Sequence, residues 1–226
     1  MSGASRTQRR APRREAVEPP TLDLKRARLL EAATEVFAER GFHAATVREI
    51  CLRAGANIAS INYYFRDKLG LYTEVLRSAA GLVGHDAVRT IFETGMPPAR
   101  ALRAVIHAMI AGLYGRDRPT MPFRLMRHEL LQPTPALSRV VEDVIRPNYV
   151  MLRATIGALL GLPPDHDTTR LCAHSVLGQI LFYPQAAPML ALLWPQLTMT
   201  PERLDQIADH IADFSLAYLR TAKGKA

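Results

Sequence analysis

Two short apolar-patterned segments meet at Gly55-Ala56-Asn57, and that joint limits the fold of the chain more than any other stretch. On its near side, Thr46-Val47-Arg48-Glu49 reads S/T-x-x-E. This is a capping box, in which the Thr hydroxyl and the Glu carboxylate each satisfy an orphan backbone N–H at a helix start. The helix it opens runs through Ile50 and Ala54, and Gly55 supplies the left-handed residue that follows it. On the far side, Asn57 caps a third helix that carries Ile58, Ile61 and Phe65 inward at spacings of three and four. Two short helices joined by a three-residue turn containing Gly form a helix-turn-helix unit. Upstream, a first helix carries Leu29, Leu30, Ala33, Val36 and Phe37 on one face and stops at Gly41, with Phe42 as the apolar contact after it. Downstream, Asp67 caps a fourth helix and places Lys68 in its first turn.

In such a unit the second helix lies in the DNA major groove, so its outward residues must be small enough for close approach and polar enough to read base edges. Ala59, Ser60 and Asn62 meet both demands: Asn can pair bidentately with adenine, Ser can donate or accept, and the Ala methyl can meet a thymine methyl. Phe65 closes the three-helix core, while Tyr63 and Tyr64 can pack their rings at the helix end and present hydroxyls to phosphates. For Tyr64 we expect a shared core and phosphate role. A cation at Lys68 opposes the helix dipole, a local cost that makes sense if its ammonium meets a backbone phosphate.

The formal net charge of +8 agrees with a polyanionic partner, and the basic excess gathers toward the N-terminus, with +5 over residues 1–70 and +3 over 71–226. Residues 1–20 are rich in Arg and Pro with almost nothing to bury, which predicts a disordered basic tail. Its role is either solubility or nonspecific attraction to phosphates. Cys51 and Cys172 match neither a disulfide framework nor a metal-ligand spacing, so reduced, buried thiols are expected. No apolar run approaches a membrane span and no apolar stretch follows the Arg pairs at the start, which predicts a soluble, cytoplasmic protein.

An all-α fold is expected throughout, because apolar positions recur at helical spacing nearly to the end without strand-like alternation. Leu71, Val75 and Leu76 continue the fourth helix toward a bend near Gly81 and Gly84. Met96-Pro97-Pro98 opens a helix through Leu102, Ile106, Met109 and Leu113, and Asp117 to Pro119 turns the chain into a segment ending MRHELLQPTP. Helices over 136–160 and 168–183 follow, separated by Gly161-Leu162-Pro163-Pro164. Thr200 and Pro201 then open a last helix with Leu204, Ile207, Ile211, Phe214 and Tyr218 on one stripe.

The stretch from Leu29 to Tyr72, LLEAATEVFAERGFHAATVREICLRAGANIASINYYFRDKLGLY, resembles the DNA-binding domain of the tetracycline-repressor (TetR) family, with the Phe-Ala-Glu-Arg-Gly ending, the Thr-x-Arg-Glu box, Gly55, the Tyr-Phe pair and Lys68 at family spacing. The resemblance implies a helix-turn-helix domain over 21–70 and an all-helical ligand-binding and dimerisation domain over 71–226. It implies that Thr46, Tyr64 and Lys68 hold phosphates, and that Arg48 and the exposed face formed by Asn57, Ile58, Ala59, Ser60, Asn62 and Tyr63 read bases. For Arg48, a guanine contact and an ion pair to a nearby acid both stay open. Many members carry an aromatic where Asn62 stands and a basic residue near Ile58, so base preference does not transfer.

The stretches MRHELL with Pro133-Thr134-Pro135, Ile145-Arg146-Pro147 and LGQILFY ending at Tyr183 further resemble the C-terminal domain of CecR-like members of the family. This implies a repressor, of a kind often discussed with drug or toxic-compound export. By position the helices 168–183 and 201–220 correspond to the pair that usually forms the TetR-family dimer interface, with filling the monomer's core as the alternative, and a small apolar or amphipathic inducer of a homodimer is expected. His107, Arg127, Glu129, Tyr149, Gln179 and Tyr183 are the polar candidates for the ligand site, with an internal Arg127–Glu129 pair or a helix-cap role as the structural alternative. No cofactor or metal is expected, since the seven histidines form no ligand spacing and no HExxH, GxSxG, P-loop or GxGxxG occurs. An enzyme and a helix-turn-helix protein adaptor are the rival classes. Salt-dependent duplex binding separates the adaptor from a DNA reader.

Overall fold

The structure, a computed structural model, describes residues 22–81, 86–114 and 119–223. The expected N-terminal tail, Gly84 and the turn at Asp117 lie outside the described residues. Among the described residues every regular element is helical, apart from one isolated bridge between Tyr114 and Pro119. The order is α1 (Leu22–Ala44), α2 (Val47–Ala54), α3 (Ile58–Phe65), α4 (Lys68–Ala80), α5 (Asp86–Glu93), α6 (Pro98–Leu113), α7 (Met121–Leu131), α8 (Ala136–Val140), α9 (Arg146–Leu160), α10 (Asp167–Gln185), α11 (Ala187–Leu193) and α12 (Pro201–Ala222).

Local chemistry sets most of these boundaries. The Thr46 hydroxyl accepts the Glu49 N–H at 3.2 Å, Asn57 Oδ1 accepts that of Ser60 at 2.9 Å, and Asp67 Oδ1 accepts that of Gly70 at 2.7 Å. Each cap satisfies an N–H that the helix itself leaves unpaired. The other half of the expected capping box differs: the Glu49 carboxylate turns to Arg40 at 3.0 Å and Arg53 at 3.8 Å, because guanidinium groups of α1 and α2 stand within its reach. Gly55 is left-handed at φ 61, ψ 36. Gly41 interrupts α1 at φ 72, ψ 174, so its φ is positive as expected but its ψ is extended, and one more turn follows before α2.

Two elements depart from the expectation. The helix expected over 136–160 is broken into α8 and α9 by a π-helical turn, Val141–Ile145, just before Pro147, which sits in the first turn of α9. Pro lacks an N–H and crowds the preceding turn, and a π turn is one way a helix absorbs that insertion. The apolar stripe expected on α12 also divides: Ile207 and Ile211 are buried, whereas Phe214 is 62% and Tyr218 56% exposed.

Two cores result. The first joins Leu29, Val36 and Phe37 of α1, Ile50 of α2, Ile61 and Phe65 of α3 and Leu71 and Leu76 of α4 with Leu125 of α7 and Ala136 and Val140 of α8. Phe37, Phe42 and Tyr72 form its aromatic centre, with the Tyr72 ring 4.7 Å from Phe37 and 4.9 Å from Phe42. The helix-turn-helix therefore shares a continuous close-packed interior with α7 and α8, and such interiors transmit displacement rather than absorb it. The second core gathers α6, α9, α10 and α12 around Ile106, Ile110, Ile156, Ala173, Ile180 and Ile211.

Candidate nucleic-acid interface and ligand cavity

The α3 helix presents one face to α1, α2 and α4 and the other to solvent. Ile61 and Phe65 are buried, while Asn57, Ala59, Asn62 and Tyr63 are exposed, Tyr63 at 74%. Ile58 corrects the expectation of an inward residue: it is 53% exposed, because at the first position of α3 no neighbouring helix covers it. Ser60 is half-buried and its hydroxyl donates to Asn57 Oδ1 at 2.8 Å, so the two polar side chains at the helix start hold each other.

Arg48 and Thr46 stand exposed at the start of α2 beside this face. Arg48 makes no ion pair among the described residues, and the acids of α1 are taken instead by Arg53, which reaches Glu35 and Glu39 at 3.3 Å each. These exposed pairs keep Arg53, not Arg48, turned toward α1. Tyr64 is half-buried against the first core, with its ring 4.9 Å from that of Tyr63. The Lys68 ammonium lies 4.5 Å from the centre of the Phe42 ring, and burial lowers its pKa from the ordinary value. Attraction to the ring face offsets part of the cost of a cation at a helix start.

Two residues of the α3–α4 joint carry structural weight that the sequence pattern concealed. Arg66 closes α3 at φ 73, ψ −47, the one positive-φ residue other than glycine among the described residues. That backbone costs of order 1–3 kcal/mol in a residue with a β-carbon. At Gly70 a β-carbon would overlap the Phe65 carbonyl oxygen, so this glycine lets the start of α4 sit directly against the end of α3.

In the C-terminal part, a cavity of about 240 Å³ opens between the end of α4 and helices α5, α6, α7, α9 and α10. Val105, Met109, Leu113, Phe123, Met126, Leu130, Leu152, Leu177 and Leu181 make its wall, with Asn148 and Tyr149 as its polar members. Among the described residues no acidic or basic side chain lines it. Of the six expected ligand residues, Tyr149 lines this cavity; its hydroxyl lies 2.9 Å from His174 Nε2 and the Arg153 guanidinium covers its ring at 5.0 Å.

The other five stand elsewhere. His107 faces α12, with its Nε2 3.0 Å from Asp209 and its Nδ1 3.5 Å from Asp205. Glu129 is fully buried, where its Oε1 accepts the Thr134 N–H at 2.7 Å and hydroxyl at 3.0 Å and so ties off the turn after α7. Burial, and then the Glu129 carboxylate, push the Tyr72 phenol above its ordinary pKa. The Arg127–Glu129 pair does not form. Gln179 donates to Ser215 Oγ at 3.4 Å on the groove between α10 and α12, and Tyr183 packs at the edge of the second core. The cavity residues Val105, Met109 and Leu177 escaped sequence reasoning because at helical spacing a cavity wall and a filled core look alike.

Helix α7 belongs to both regions. Phe123, Met126 and Leu130 line the cavity, Leu125 enters the first core, and Arg124 donates to the Ala38 carbonyl of α1 at 3.4 Å. Spacings of three and four place these sets on separate faces of one helix.

Comparison with known proteins agrees with this architecture. Residues 29–75 match the family described as bacterial regulatory proteins, tetR family, and residues 98–219 match the C-terminal domain of the HTH-type transcriptional dual regulator CecR. CecR of Shigella flexneri is 32% identical over 165 residues, 69% of this chain and 73% of its own length. The HTH-type transcriptional activator FasR of Mycolicibacterium smegmatis is 41% identical over 87 residues, 38% of this chain and 39% of its own. Among solved structures, FadR of Bacillus subtilis in complex with stearoyl-CoA shares the fold with a TM-score of 0.63 at 18% identity, covering 84% of this chain and 97% of that one. PfmR of Thermus thermophilus does so with a TM-score of 0.59 at 21% identity, covering 84% and 97%. These proteins are regulators of transcription rather than enzymes, and among the described residues no single helix is long and apolar enough to cross a membrane. The chain belongs to the TetR family of bacterial regulatory proteins and is a DNA-binding transcriptional regulator with a CecR-type C-terminal domain.

Proposed function

We propose that this regulator is a homodimeric repressor that leaves a near-palindromic operator when a small, uncharged, predominantly apolar molecule enters the cavity of its C-terminal domain. In this reading residues 21–70 form the DNA-binding domain and 71–226 the ligand and dimer domain. Thr46, Tyr64 and Lys68 hold phosphates. Arg48 and the outer face of α3, through Ile58, Ala59, Asn62 and Tyr63, meet the bases, while Asn57 and Ser60 fix the start of that helix. The dimer forms through α10 and α12, whose outer surface carries Leu171, Phe214 and Tyr218 exposed beside one groove. Two-fold symmetry of the protein then calls for half-sites about one helical turn apart or a multiple of it.

The observation that carries the reading is the double membership of α7, which lines the cavity on one face and grips α1 on another. A ligand that favours a displaced α7 also favours a displaced helix-turn-helix, and the coupling equals the difference in its affinity for the two arrangements. Uncharged ligands are called for because a charge in that cavity would be desolvated with no ionic partner among the described lining residues. The test is transcription from the promoters the protein occupies. Deleting the protein raises their output if it represses; lowered output makes it an activator, as FasR is by its name.

A further inference from the structure

Beside the DNA-facing helix lies a groove of about 350 Å³ between α1, the α3–α4 joint and α8. Arg26, Arg66, Arg77 and Arg139 converge on it, and Glu74 is the one acid among its lining residues. The charges do not cancel. Glu74 accepts from Arg26 at 3.3 Å and from Arg77 at 2.5 Å, and Asp143 takes the other arm of Arg77 at 2.6 Å. This leaves Arg66 and Arg139, both exposed and without an ion pair among the described residues, at the two rims of one depression. Arg66 holds its side chain at a positive-φ position, where an arginine is more strained than a glycine would be. Tyr64 and Phe65, the last turn of α3, form one wall, so the groove is continuous with the surface that meets DNA.

We propose that this groove is a second phosphate-binding surface, which grips the DNA backbone flanking the half-site read by α3, with Arg66 and Arg139 as its contacts. The proposal rests on the DNA-reading role of α3. Guanidinium groups match phosphate oxygens in a two-pronged geometry, and such contacts lengthen the footprint and steepen the salt dependence without adding base preference. They also place a residue of the C-terminal part, Arg139 on α8, directly on the duplex. Because α8 runs through the π turn into Ile145 and Asn148 of the cavity wall, cavity occupancy bears on this contact as well as on α7.

The test is the slope of log K against log salt for a duplex enriched from genomic fragments and extended beyond both half-sites, measured for the full chain and for Arg66→Gly, Arg139→Gln and Lys68→Ala. Each arginine variant is expected to make the slope shallower by about 0.9 for every phosphate that each DNA-bound chain no longer neutralises. Base preference stays unchanged, and the melting temperature is unchanged for Arg139→Gln and not lowered for Arg66→Gly. If both arginine variants keep the parental slope while Lys68→Ala flattens it, the groove does not hold DNA phosphate and the reading of α3 stands. If all three keep it, the DNA-facing assignment falls with the groove. A shallower slope accompanied by a lowered melting temperature in Arg139→Gln marks a structural role and overturns the proposal.

Discussion

His128 of α7 closes over Gly41 of α1 so tightly that a β-carbon added at Gly41 would come within 3.2 Å of its Nδ1. Gly41 is also held at φ 72, ψ 174, a backbone that glycine adopts far more readily than any other residue. The contact between α1 and α7 is thus built around a missing side chain.

Gly41→Ala should cost about 1–3 kcal/mol from backbone strain alone, and more as His128 is pushed aside. Thermal unfolding should show a midpoint lowered by several degrees, and operator affinity should fall because α1 and α7 no longer meet in register. An unchanged midpoint and affinity would show that the contact is soft.

Gly70→Ala should be harsher. The new methyl meets the Phe65 carbonyl, which is backbone and cannot rotate away, so the α3–α4 joint must open. A loss of about 2 kcal/mol or more is expected, toward the upper end for single substitutions. Circular dichroism should keep its helical signal while specific DNA binding drops at least tenfold.

The caps explain which parts of this were legible in the sequence. Thr46, Asn57, Asp67 and Thr200 each bond a backbone N–H three residues ahead, so the interaction lies within the stretch that predicts it. Ile58, Gly70 and His107 were not legible, because their surroundings come from distant chain: Ile58 is exposed for want of a covering helix, Gly70 is forced by the approach of two helices, and His107 is drawn to Asp209 on α12. The cavity was hidden for a related reason, since its position depends on how six helices fail to fill the space between them. Polar residues in apolar segments pointed to the cavity wall at Tyr149, but at Glu129 the same signal marked a buried turn closure.

Met109→Trp places a larger ring in the cavity. Overpacking costs typically about 1–3 kcal/mol in a filled core, and less where space is already open. Operator binding should persist within about threefold, while release by apolar compounds that act on the parent protein is lost. Gel-shift titration of both proteins with the same compounds checks it, and release that survives the substitution would move the ligand site elsewhere.

Phe214→Asp and Leu171→Asp put charge on the exposed face of α12 and α10 without touching the buried stripe. Light scattering should give a dimer mass for the parent at micromolar concentration and a monomer mass for the double variant, with cooperative operator binding abolished. A parent protein that is itself monomeric would remove the symmetric-operator mechanism.

Selection of genomic fragments by the purified protein tests the central claim, that the face running from Asn57 to Tyr64 enters a duplex. One motif with two-fold symmetry should be enriched, and the motif should change or vanish when Arg48 and Asn62 are both replaced by Ala. A protein that enriches no sequence, or whose motif is indifferent to both substitutions, would contradict it.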